Sequence, residues 1–466
     1  MAEVAAAAIA AEQVVATGLE AAAAVAIAAP TLPLKISLTH LPNPAPEGSP
    51  HPALARSHHS LTVLANKAFI FGGLDASNTL CPPGIHTITL PTTKTTTSPP
   101  DPNNDNADER AAYTCYPPYP LQDPSTGEVL VPAPRAEHAA CARAGGRFLL
   151  VHGGRDAAGH PVGGGDGEGE GNCLWQWDCE ALSWEKLRGD TQLGAQMAPR
   201  WGHWLFAGED GDGDDAQRFL VLVGGKSQAG SGGSGGETER EAWMYDLERR
   251  VWTALPGLPA RPLAAAYVGG RVYIIAEDGG DKQGGGAVLG GVVHYLDMRA
   301  SAAEREKPGA LAWESVSFPA NPLAPGPKPR TGGALVPLST GHGREYLVYG
   351  FGCSEGSEKH YFSDIWTLQL PARGRSAAAA KDTIRDKLPR MESGEFRWDE
   401  AEIVPIEQVT EEGKVHPGPR GLFGADRCLD GQGVVLWGGI NAKEEKEGDG
   451  WLLRLAHGYA DNDRWE

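Results

Sequence analysis

Basic residues are scarce in this chain. Lys and Arg number 41 against 60 Asp and Glu, a formal net charge of −19 over 466 residues. Phosphate binding needs Lys and Arg, so this balance excludes nonspecific attachment to nucleic acid or to an anionic membrane. Cysteine is sparse too, with seven residues at 81, 115, 141, 173, 179, 353 and 428. The number is odd and the spacing irregular, which is no disulfide framework. Cys173 and Cys179 stand close together, yet no second close pair completes a zinc site. There is no phosphate-cradling G-x-x-x-x-G-K-[ST] and no H-E-x-x-H, and no nucleophile elbow is expected. No apolar run reaches about 18 residues, the minimum for a membrane span. The Ala-rich stretch 1–30 carries Glu3, Glu12 and Glu20 and has no Lys or Arg before residue 35. A secretory signal wants positive charge there, so a marginal helix or a disordered leader is expected, in a protein of the cytosol or nucleus.

Glycine is abundant at 62 residues, and 13 Trp recur along the chain. Together they mark one theme repeated six times: a hydrophobic run ending in Gly-Gly, a variable loop, a short strand and a Trp-bearing strand. The clearest copies are FLLVHGG (148–154), LVLVGG (220–225) and VVLWGG (434–439). AFIFGG (68–73), YLVYGFG (346–352) and RVYIIAEDGG (271–280) are fainter, and the fourth unit has Ala-Glu-Asp where Gly-Gly is expected. Such modules bury a core only against their neighbours. Trp175, Trp184, Trp243, Trp252, Trp313, Trp366, Trp398 and Trp451 sit at matching places, as packing between modules requires.

Each unit opens near an Arg: 56, 135, 200, 261, 330 and 420, at intervals of 79, 65, 61, 69 and 90 residues. A bare four-stranded repeat takes about 50, so every unit carries insertions. The polar stretch 92–110 is a long one, and 373–395 has room for a short helix. Catalytic residues occur once rather than in every unit. The repeated Arg135, Arg200, Arg330 and Arg420 are therefore expected to pair with backbone carbonyls or acids, or else to form a rim that binds an anion. These four are the candidate binding residues.

The recurring Gly-Gly, the Tyr245–Asp246 pair of AWMYDLERRVW and the spaced Trp residues resemble a kelch-repeat β-propeller over residues 31–466. That resemblance implies an all-β, six-bladed ring of four-stranded antiparallel blades around a channel. The last unit ends without an outer strand, and LPLKISLTHLPNPAPEG (32–48) precedes the first unit where an outer strand belongs. The N-terminal strand is therefore expected to complete the last blade and spare it an exposed edge. In the first unit GIHTITL (84–90) and AAYTCYPP (111–118) are expected to fill the outer strands.

Kelch-like propellers include interaction scaffolds, copper radical oxidases and plant specifier proteins that resemble non-haem iron sites. No E-x-x-x-D-x-x-x-H is present; Glu355, Glu358, His360 and Asp364 in GCSEGSEKHYFSDIW are the nearest imitation. An exposed acidic loop is the plainer reading, so no metal and no cofactor are expected. A scaffold for another protein is the expected function. A small-molecule enzyme or binder with its site at the channel mouth is the alternative. No BTB, F-box or coiled-coil region narrows the choice of partner.

Overall fold

The computed structural model describes residues 32–44, 54–91, 113–119, 127, 130–143, 145–162, 172–187, 189–191, 197–210, 217–227, 238–276, 291–299, 309–318, 326–340, 343–356, 359–372, 376–385, 394–404 and 414–456. The stretches 1–30 and 92–110 lie outside them.

Strand β1 (Lys35–Leu41) precedes the first blade. Blade 1 holds β2 (Ser60–Leu64), β3 (Lys67–Phe71), β4 (Ile85–Thr89) and β5 (Tyr113–Tyr116). Blade 2 holds β6 (Ala139–Ala142), β7 (Phe148–His152), β8 (Leu174–Asp178) and β9 (Ser183–Leu187). After the short β10 (Asp190–Thr191), blade 3 holds β11 (Trp204–Asp210), β12 (Gln217–Val223), β13 (Ala242–Asp246) and β14 (Val251–Ala254). Blade 4 holds β15 (Pro262–Val268), β16 (Arg271–Ala276), β17 (Val292–Asp297) and β18 (Trp313–Ser317). Blade 5 holds β19 (Ala334–Ser339), β20 (Glu345–Gly350), β21 (Ile365–Gln369) and β22 (Arg397–Glu400), with helix α1 (Ala377–Arg385) inserted before β22. Then come β23 (Glu402–Val404), β24 (Arg420–Gly421), β25 (Gly424–Arg427), β26 (Gly433–Trp437), β27 (Ile440–Asn441) and β28 (Gly450–Leu455).

Blades 1 to 5 are antiparallel meanders in chain order, and blade 6 is built on β25, β26 and β28. The inner strands meet in the sequence β2, β6, β11, β15, β19, β25 and back to β2, so the six blades close a ring. The chain is a six-bladed β-propeller. Blade 6 borrows its outer strand: β1 pairs antiparallel with β28, from Ile36 opposite Leu455 to Leu41 opposite Gly450. On its other edge β1 takes β23 in parallel, as β14 of blade 3 takes β10. The closure, the outer strands of blade 1 and the short helix within 373–395 all stand where the sequence places them.

Alternation of side chains explains why the second strand of each blade is apolar on consecutive residues. Neighbouring residues of a strand face opposite sides of the sheet, and here both sides are buried. On β12, Leu220 and Leu222 face Leu150 and Leu174 of blade 2. Phe219, Val221 and Val223 face Val272 and Ile274 of blade 4. The six apolar clusters occupy the six interfaces between blades in this way. Trp residues fill them: Trp175, Trp177 and Trp184 between blades 1 and 2, Trp243 and Trp252 between 2 and 3, Trp437 between 6 and 1. Among the described residues no helix is long and apolar enough to cross a membrane.

Ile36 and Leu38 of β1 are buried in the interface between blades 5 and 6. Changing either to Ala is expected to destabilise the whole ring by about 2–5 kcal/mol. Deleting 31–40 is expected to abolish the folded yield that survives deletion of 1–28. Denaturant titration and soluble yield check this; equal yields from the two deletions would refute closure through β1.

Candidate functional site

The meander brings the start of every inner strand and the end of every second strand to one face of the ring. On this glycine face the unit-opening Arg meets the Gly-Gly of its own blade. Arg56, Arg135, Arg200, Arg330 and Arg420 are all buried, none more than 1% exposed. The Nη1 of each donates to the carbonyl that ends its second strand: Gly72 at 3.0 Å, Gly153 at 3.0 Å, Gly224 at 3.0 Å, Phe351 at 3.3 Å and Gly438 at 3.2 Å. Three also hold a carboxylate. Arg200 meets Glu241 at 2.6 Å, Arg330 meets Asp364 at 2.6 and 2.9 Å, and Arg420 meets Asp449 at 3.1 Å. Arg56 has the His86 ring instead, at 3.1 Å. The four predicted binding residues thus lie inside the wall of the glycine face, one per blade.

The acid partners share a position that sequence reading missed, two residues ahead of a Trp: Glu241-Ala-Trp243, Asp364-Ile-Trp366, Asp449-Gly-Trp451. In two of them the indole N–H donates to the same carboxylate, Trp243 at 3.0 Å and Trp366 at 2.7 Å. One acid therefore orients both the buried cation and the Trp that packs the neighbouring blade. Burial pushes the Asp364 carboxyl up; the Arg330 and Trp366 bonds more than reverse this and hold it below the usual range. Burial lowers the Arg200 and Arg56 guanidinium pKa values, and among the described residues no carboxylate is bonded to Arg56.

Backbone hydrogen bonds join the blades around the channel in two rings. The second glycine or its equivalent donates to the carbonyl of the next blade's Arg: Gly73 to Arg135, Gly154 to Arg200, Gly352 to Arg420, Gly439 to Arg56. A Cβ on Gly73 would stand 2.5 Å from the Ser57 oxygen, so only glycine fits that approach. The inner ring is built by the residue two past each Arg. Gly332, Leu422, His58, Glu137 and Gly202 all have φ between 55° and 65°. Leu422 N donates to Gly332 O at 2.6 Å, His58 N to Leu422 O at 2.9 Å, Glu137 N to His58 O at 2.9 Å and Gly202 N to Glu137 O at 2.7 Å.

Among the described residues neither ring passes through blade 4, whose residues 277–290 lie outside them. Its opening reads Arg261-Pro262-Leu263. Proline has no N–H to give, and it drives the preceding residue toward extended backbone. Here Pro262 joins the inner strand opposite Ala276, with a bulge before Ala264, and the left-handed turn does not form. Arg261 leaves the wall, 30% exposed at its side chain, and pairs with Glu239 at 3.4 Å and with Glu355. Those two acids belong to blades 3 and 5.

Histidines wedge between the blades. His138 Nε2 lies 2.8 Å from Ser60 Oγ, and His203 Nε2 lies 3.0 Å from His152 Nδ1. Burial, with nearby Arg charge, pushes His138 and His152 down to about 3 and His203 well below its usual value. Burial takes His58 down to about 4 against the pull of Glu137, and burial with Arg56 takes His59 well below normal. All five are neutral at pH 7.

The nearest imitation of an iron site is dispersed. The Asp364 carboxylate is bound to Arg330 and Trp366, Glu355 is bound to Arg261, His360 is exposed, and Glu358 lies outside the described residues. Among the described residues no three His, Cys, Asp or Glu gather as metal ligands. Gly352–Gly356 does spell G-x-S-x-G, against expectation. The next described residues, 359 and 360, are not helical, and Ser354 Oγ accepts from the His360 N–H at 2.9 Å, so it is no nucleophile elbow.

Asp364→Ala would strip Arg330 of its counter-charge inside the wall. A loss of about 3–5 kcal/mol in denaturant unfolding is expected, and a loss below about 1 kcal/mol would show the pair to be dispensable. Acid should also unfold the ring. All five depressed histidines bind protons in the unfolded chain near pH 6.5; in the folded one His58 does so only at about pH 4 and His138 and His152 only at about pH 3, while His59 and His203 are held well below their usual value. Their contribution is present above about pH 6.5 and falls by about 1.4 kcal/mol per histidine per unit below it. Asp426, raised by burial to about 6, and Glu345, also raised by burial, work the other way, but they are two groups against five. Melting temperature is expected to drop steeply from about pH 6.5 to about pH 5; a flat profile there would refute it.

No protein-family model and no curated protein matches the chain.

Proposed function

We propose that this propeller is a kelch-type interaction scaffold whose glycine face recognises another protein. The loop architecture of that face carries the reading. After Gly-Gly, three blades use the same backbone device. Asp75 Oδ1 accepts from Ser77 N and Thr79 N at 2.8 and 2.9 Å, Asp156 Oδ1 from Ala158 N and His160 N at 2.9 Å each, and Asn441 Oδ1 from Lys443 N and Glu445 N at 2.8 and 3.0 Å. The frames match and the exposed tips do not: Ser77 in one, Ala158 and His160 in the next, Lys443 and Glu445 in the third. Fixed frames with divergent tips suit recognition, where contacts vary while the support stays rigid. Arg135, Arg200, Arg330 and Arg420 serve this face by anchoring the ends of the strands that carry the loops.

The repeated Gly-Gly, the spaced Trp and the Tyr245–Asp246 pair support the kelch reading. All seven cysteines are free thiols, which suits a reducing cytosol or nucleus. The scarcity of Lys and Arg speaks against nucleic acid or an anionic membrane as partner.

The test is a tip variant, Ser77→Arg with Ala158→Arg and Lys443→Glu, all at exposed positions. Purified full-length protein identifies direct partners, and the binary affinities of wild type and variant are then compared. Binding is expected to fall at least about tenfold, while stability stays within about 0.5 kcal/mol per substitution. Unchanged affinity in a well-folded variant would overturn the assignment to this face. Near one equivalent of bound transition metal, with no protein partner, would favour an enzyme at the channel mouth.

A further inference from the structure

The inner ring has two loose ends. At each of the other junctions the left-handed residue gives its N–H to one neighbour and its C=O to the next. Because blade 4 contributes no such residue, the Gly202 carbonyl receives no hydrogen bond from the described residues, and the Gly332 N–H reaches no acceptor among them. The gap is one residue wide in the pattern of the ring. Its chemistry is fixed by what the other blades supply: one N–H donor for Gly202 and one C=O acceptor for Gly332.

The two residues flanking the gap are both glycines, whereas the other three ring positions carry His58, Glu137 and Leu422. Gly202 is exposed, and a Cβ there would meet only the Glu137 carboxylate, at 3.7 Å. The backbone of the gap is therefore open to a visitor on its blade 3 side. Arg261 of blade 4 pairs with acids of blades 3 and 5, so that cation is balanced by Glu239 and Glu355.

We propose that the gap at blade 4 is a binding site for the main chain of a partner polypeptide. One residue of a tight turn completes the ring, its N–H donating to the Gly202 carbonyl and its C=O accepting from the Gly332 N–H. To present both groups as the native ring residues do, that residue takes the left-handed conformation, which selects Gly, Asn or Asp. The site reads a turn shape and one small residue rather than a charge pattern. It rests on the reading of the glycine face as the recognition surface.

Disulfide-constrained random heptapeptides displayed on phage are selected on the full-length protein, and the winning peptides are synthesised for calorimetry. The selected sequences are expected to share Gly, Asn or Asp at one position. N-methylation of that single amide is expected to weaken binding at least about tenfold, the order of one lost hydrogen bond. Gly202→Asn keeps a residue type that tolerates positive φ and places a side chain at the rim of the gap. It is expected to match wild type in melting temperature and to lose affinity by a similar factor. The tip variant described above should bind these peptides as wild type does. The proposal is overturned if no peptide is selected, if no amide is sensitive to N-methylation, or if Gly202→Asn binds normally. Peptides lost in the tip variant but kept by Gly202→Asn would overturn this site and leave the recognition face standing. Failure of both peptide selection and partner capture would remove both.

Discussion

Five guanidinium groups are held out of water at the same end of five blades, and each must find oxygen there. A buried, unpaired charge costs several kcal/mol, so the surrounding chain is arranged to supply acceptors. The carbonyl that ends the second strand is the nearest, and all five arginines take it. This requires that the chain turn away at once, which the Gly-Gly allows. The acid before the Trp supplies the rest in three blades, and in two of them it pins the indole as well. Inner strand, second strand and third strand are thus tied at one end of the blade by one cation. The Trp so oriented enters the interface with the neighbouring blade, which links polar order on the glycine face to apolar packing in the body of the ring.

The same crowding explains the histidines. Residues that follow the buried Arg lie against the glycines of the previous blade, with His138 touching the position of Gly72 and His203 that of Gly153. They sit beside a permanent positive charge and away from solvent, so both influences oppose protonation. Neutral imidazole can then serve as a wedge with one donor and one acceptor. The arrangement is stable at neutral pH and carries an acid weakness, because the cation that organises the blade also forbids a second cation beside it.

Period and composition made the ring legible in the sequence. Runs such as LVLVGG are apolar on consecutive residues because both faces of a blade are buried, and that signal survives in every unit. Closure by 32–48 was legible because the last unit is one strand short. The left-handed ring was not, since three of its members are His58, Glu137 and Leu422, residue types that do not announce positive φ. The acid partners were hidden by distance: Asp364 meets Arg330 across 34 residues, and its one local mark is its place two residues ahead of a Trp. Taken with its neighbours in the chain, the same Asp364 belonged to an acidic loop that was the nearest imitation of a metal site. In space its oxygens are already committed.

Blade 4 shows how one residue type propagates through this design. A proline after the opening Arg removes the N–H that could enter the inner ring, and it biases Arg261 toward extended backbone. The guanidinium then misses the wall and goes to the surface, where salt screens its ion pairs as it cannot screen a buried contact. Among the described residues, blade 4 is consequently held to its neighbours by the apolar clusters on its two faces, by Arg261 and by the Trp313 indole donating to the Pro256 carbonyl, without the backbone links that join the other five blades. Among the described residues, it is at this blade that the Gly202 carbonyl and the Gly332 N–H are left without a backbone partner. Symmetry supplies the rigid frame, and a single proline is enough to break it locally.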